Sequence, residues 1–79
     1  MNMNNQFKNE INQAVINNTD LLEIREILLD YKNNGMDKQS MLSEINSMRI
    51  KSNPETEDVL LELLDFIEGY CNPSLAVFD

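Results

Sequence analysis

The chain has no histidine, no tryptophan and a single cysteine, Cys71. Without imidazole, a histidine-dependent catalytic triad cannot be assembled, and a zinc site of the usual thiolate or imidazole kind lacks its ligands. One cysteine cannot close an internal disulfide, which fits a reducing compartment. No apolar run is long enough to span a bilayer, which takes about 18 residues or more. The segment from Met1 to Glu10 is polar and asparagine-rich, so it does not read as a secretory signal. Bases are scarce as well: six lysines and arginines face fourteen aspartates and glutamates, for a net charge of −8. A chain so acidic is repelled by phosphate backbones, which argues against direct nucleic-acid binding. These absences leave an acidic protein expected in the cytoplasm, with no membrane contact.

What is present is helical patterning. Seventy-nine residues suffice for one small domain, residues 1–79, and a domain of this size buries only roughly 60% of its unfolded surface. With neither disulfide nor metal, its core must come from well-patterned helices. No stretch alternates with period two for long enough to make a strand, and four segments repeat at helical spacing. From about Asn5 to Ile16, the residues Phe7, Ile11, Ala14 and Val15 share one face. Asn17, Asn18 and Thr19 interrupt that pattern. From about Asp20 to Asn33, the residues Leu21, Ile24, Ile27, Leu28 and Tyr31 form a stripe, with Leu22 and Leu29 beside it. Thr19 is the expected N-cap of this second segment, and Gly35 its left-handed terminator, with Met36 folding back.

The third segment opens at Asp37, an expected N-cap, and carries Met41, Leu42, Ile45 and Met48 on one side. Asn53 followed by Pro54 reads as an N-cap and first helical residue, starting a fourth helix that runs to about Cys71. Asn72-Pro73 is expected to stop it. The tail from Leu75 to Phe78 either packs back on the bundle or stays disordered. The expected fold is all-α, a compact bundle of four helices, with three helices and an ordered N-terminal arm as the fallback.

The charge is uneven. Residues 1–52 hold seven acids and six bases, whereas residues 53–79 hold seven acids and no base. Projected on a helical wheel, Val59, Leu60, Leu63, Leu64, Phe66, Ile67, Tyr70 and Cys71 fill one half of the fourth helix. Glu55, Glu57, Asp58, Glu62, Asp65 and Glu68 fill the other, interrupted only by Leu61. Like charges on neighbouring turns cost about 0.2–0.5 kcal/mol per pair, so a helix shaped for stability alone would intersperse lysines. The face is either a solvated surface or a landing surface for a basic partner, steered by its field. In the second case Glu57, Asp58, Glu62, Asp65 and Glu68 supply charge complementarity and Leu61 a central contact.

Chemical constellations fail on inspection. Asp30 to Gly35 begins like a calcium loop, but Lys32 and Met41 occupy positions that need oxygen ligands. Cys71 has no histidine to activate it and reads as a buried structural thiol, and Met41 and Met48 read as core filling. Twelve asparagines carry no functional weight. No catalytic residue, metal ligand or cofactor site is expected, and the chain is not expected to be an enzyme.

Leu64-Asp65-Phe66-Ile67-Glu68-Gly69-Tyr70-Cys71-Asn72-Pro73, together with Asp30-Tyr31-Lys32-Asn33-Asn34-Gly35, resembles a pattern in small acidic helical bacterial proteins. Some proteins of that kind are immunity proteins of polymorphic or contact-dependent growth-inhibition toxin systems. The resemblance covers about residues 20–78, and the chain departs from it at its end, Ala76-Val77-Phe78-Asp79, where those proteins tend to carry an aromatic after a basic residue. It implies an immunity-type inhibitor that docks on a basic toxin domain, a nuclease above all, and covers its active site or substrate groove. The alternative is a structural or regulatory adaptor that self-associates through apolar helix faces, the strips of the second helix and especially Leu22 and Leu29. A monomer is favoured over a homodimer, and mimicry of nucleic acid by spaced carboxylates would engage the same kind of partner.

Overall fold

The computed structural model describes residues 3–69 and 73–78. Four α-helices follow one another, α1 (Met3–Ile16), α2 (Leu21–Asn33), α3 (Lys38–Ile50) and α4 (Pro54–Glu68), then a single 3-10 turn at Pro73–Leu75. No strand occurs among the described residues. The fold is therefore the four-helix, all-α arrangement that the periodicity predicts.

Each helix end has a local cause. At the end of α1, Asn18 adopts φ 56°, its amide donates to the Val15 carbonyl and the Thr19 amide donates to Ala14. That is a Schellman closure with asparagine in the left-handed position. The same closure ends α2, where Gly35 sits at φ 103°, Gly35 donates to Lys32 and Met36 donates to Tyr31 at 3.0 Å. Met36 folds back into the core as expected. The Asp37 carboxylate accepts from the Ser40 amide at 3.1 Å and caps α3, and Ser40 holds that carboxyl below its ordinary pKa. Asn53 caps α4 by accepting from the Thr56 amide at 2.8 Å, with Pro54 in the first turn.

Two boundaries differ from expectation. The N-cap of α2 is Asp20, which makes no side-chain capping bond, and not Thr19, because the Asp20 carbonyl accepts the first helical amides, those of Glu23 and Ile24. Helix α4 stops at Glu68 and not near Cys71, because Gly69 turns left-handed at φ 86° and donates to the Asp65 carbonyl. The termination assigned to Asn72-Pro73 thus falls too late. Tyr70 and Cys71, placed in the core by the wheel, lie outside the described residues.

The buried side chains form one cluster that draws on all four helices. Helix α1 gives it Phe7, Ile11, Ala14 and Val15, the four residues its spacing predicts. Phe7 meets Tyr31 edge-on, with ring centroids 5.2 Å apart. The Tyr31 hydroxyl donates to Glu10 at 3.0 Å, so the ring is buried while its polar end stays satisfied. Helix α4 contributes Leu60, Leu63, Leu64, Phe66 and Ile67, the largest share, and packs most extensively on α3.

The tail question is resolved in favour of packing. Val77 is 1% exposed, and its amide donates to the Phe66 carbonyl near the end of α4 at 2.9 Å. Two cations of α2 fasten the same segment. Arg25 donates through Nε to the Leu75 carbonyl at 2.7 Å and through Nη2 to Ser74 at 3.3 Å. Lys32 donates to the Val77 carbonyl at 2.8 Å and lies 5.4 Å from the Phe78 ring centroid. The tail is thereby held between α2 and α4, and it supplies acceptors to two of the protein's few bases.

Candidate functional site

The apolar side of α4 is consumed by the core, which turns its other side to solvent by geometry alone. Asp58, Glu62, Asp65 and Glu68 are exposed and Glu57 is half-buried. Leu61 is 39% exposed among them. On a helix, positions three, four and seven apart share a face, so Glu57, Asp58, Asp65 and Glu68 surround Leu61. Glu57, Asp58, Leu61, Glu62, Asp65 and Glu68, the six candidate contact residues, therefore lie together on one outward surface of α4.

Neutralisation decides what this face can do. Glu57 alone has an ionic partner among the described residues, Arg49 of α3, with Nη2 to Oε2 at 3.6 Å. That contact is long and single, and exposed pairs of this kind contribute about 0–1 kcal/mol. Asp58, Glu62, Asp65 and Glu68 have no salt bridge or side-chain hydrogen bond among the described residues.

Four of the other five bases are placed elsewhere. Arg25 and Lys32 are turned to the tail, and Arg25 also lies 3.9 Å from Glu26. Lys8 and Lys51 line a cleft of about 370 Å³ that is bordered on α4 by Thr56 and Leu60 and by no carboxylate. Four unneutralised carboxylates around a partly exposed leucine make a surface that attracts cations and offers one apolar contact.

One feature of the face escapes a reading of the sequence. Between the start of α2 and the middle of α4 runs an open groove of about 200 Å³, lined by Thr19, Leu21, Asp58, Val59 and Glu62. Thr19 and Leu21 lie some forty positions before their neighbours on α4, and periodicity assigns Leu21 only to the core stripe. No local signal could have joined them to the acidic face.

The self-association surface is reduced by the packing. Leu22 is 51% exposed, whereas Leu29 is half-buried and packs against the core. The resemblance to a calcium loop dissolves too, since Gly35 closes α2. Among the described residues no group of three or more histidine, cysteine, aspartate or glutamate side chains could hold a metal ion, and no helix is long and apolar enough to cross a membrane. Compared with known proteins, the chain matches no family model, no curated sequence and no solved structure.

Proposed function

We propose that this protein is an immunity-type inhibitor that neutralises a basic toxin domain, a nuclease by preference, in the cytoplasm. The outward face of α4 docks over the toxin's active site or substrate groove. Glu57, Asp58, Glu62, Asp65 and Glu68 meet its cations and Leu61 makes the central apolar contact. Inhibition needs no cofactor and no chemistry, because excluding the substrate is sufficient.

The observation that carries the reading is the unmatched charge. Among the described residues, a protein with six bases leaves Asp58, Glu62, Asp65 and Glu68 of one helix without any of them, at a cost in like-charge repulsion. A basic partner would remove that repulsion and gain from field-steered association. A nuclease groove, built to hold phosphates, is cationic by necessity.

The test is functional neutralisation. The product of the neighbouring reading frame is produced alone and with this protein, and its toxicity and nuclease activity are measured. Protection by the wild type that is lost in Asp58→Lys/Asp65→Lys, with folding retained, supports the reading. Protection that survives the charge reversal removes this face from the mechanism.

A further inference from the structure

We propose that the groove between α2 and α4 receives one lysine or arginine side chain of the basic partner. This rests on the α4 face being the docking surface, and it names the chemical group that the face is shaped to take. Asp58 and Glu62 stand one helical turn apart at the groove, both exposed and both without a cation among the described residues. Carboxylates alone would define no pocket. The independent feature is the rest of the lining, in which Leu21 and Val59 are half-buried, packed on the core from beneath and still open to the groove. Thr19, itself half-buried, completes the lining.

The groove thus offers apolar walls and anionic edges within one small space. A long aliphatic stem with a cationic end matches both, since such side chains lay their methylenes on apolar surface and keep the charge at a polar rim. The other occupants fit less well. A metal ion would leave Leu21 and Val59 uncovered. The volume of about 200 Å³ falls below the roughly 300–1,000 Å³ of clefts that take drug-sized molecules. It suits a single side chain. Arginine gains over lysine, because its planar fork can donate to both carboxylates.

The experiment is a methyl-resolved NMR titration of the intact protein at constant ionic strength. The probes are the N-acetyl amides of arginine, lysine and norleucine, together with guanidinium chloride. Norleucine keeps a stem without charge, and guanidinium keeps the charge without a stem. Saturable shifts at the Leu21 and Val59 methyls with arginine and lysine, and not with the other two, are expected. The Asp58→Asn/Glu62→Gln variant should weaken that binding by about fivefold or more, while Asp65→Asn/Glu68→Gln should change it by less than about twofold. Shifts that fail to saturate, that guanidinium reproduces, or that spread evenly along α4 would overturn the groove. The two proposals fail separately: if Asp65→Lys still abolishes protection while the groove stays silent, the face stands and the groove alone is lost.

Discussion

Helices α2 and α4 look alike from outside and differ in how their charge is balanced. Each buries a broad apolar stripe and exposes acids, Asp20, Glu23, Glu26 and Asp30 near or on α2, and Glu55, Asp58, Glu62, Asp65 and Glu68 on α4. Helix α2 carries its own bases, Arg25 and Lys32, yet directs them mainly to the tail carbonyls. Helix α4 carries none, and among the described residues borrows only Arg49 for Glu57. The lesson is that two of the scarce bases are spent on fastening the tail to the bundle. The carboxylates of α4 are left over, and a surface left unbalanced is available for a partner.

The strongest way to break this comparison is to release the tail. Val77→Asp places a charge in a position that is 1% exposed, and should destabilise the protein by about 3 kcal/mol or more. Chemical unfolding monitored by circular dichroism reads that loss directly. Next in size, Arg25→Met keeps much of the stem but removes the charged donors to Ser74 and Leu75, and should cost about 1.5–3 kcal/mol on the same assay. A variant as stable as the wild type would show that the tail needs no cation.

A smaller effect belongs to the α1–α2 contact. Burial first, then the hydrogen bond and charge of Glu10, push the Tyr31 phenol above its ordinary value. Its folded value exceeds its unfolded one, so the stability it contributes is complete below about pH 10 and declines as pH rises through the raised value. Thermal unfolding between pH 8 and 11 should therefore fall more steeply for the wild type than for Tyr31→Phe. At neutral pH that variant should lose about 1 kcal/mol, through its hydrogen bond.

The smallest expected change sharpens the comparison most. Asp65→Lys replaces repulsion with attraction to neighbours on the α4 surface, and should raise stability by about 0.2–0.5 kcal/mol. The same substitution should impair partner binding. A variant that gains stability while losing function would show that the bare anionic face is kept for its partner.

Much of this fold is legible in local pattern. The burial of Phe7, Ile11, Ala14 and Val15 follows from spacing, and the starts of α3 and α4 follow from Asp37 and from Asn53-Pro54. The outward side of α4 follows from the same arithmetic, Leu61 included. Adjacent candidates for one role were harder to separate: Thr19 looks the better cap than Asp20 until the Asp20 carbonyl is seen accepting from the Glu23 and Ile24 amides. Gly69 outcompeted Asn72-Pro73 because a left-handed residue ends a helix where it stands, whatever follows. The Arg25 and Lys32 contacts with the tail and the walls of the groove were illegible for a different reason. They join residues some forty to fifty positions apart, and no periodicity reaches across that distance.

The central claim is most directly tested by the salt dependence of partner affinity. Isothermal titration of wild type and Asp58→Lys/Asp65→Lys against the neighbouring gene's product, at low and high ionic strength, measures it. The account predicts tight binding by the wild type that weakens as salt rises, and a loss of about tenfold or more in the variant at low salt. Equal affinity for both proteins at both ionic strengths would contradict it.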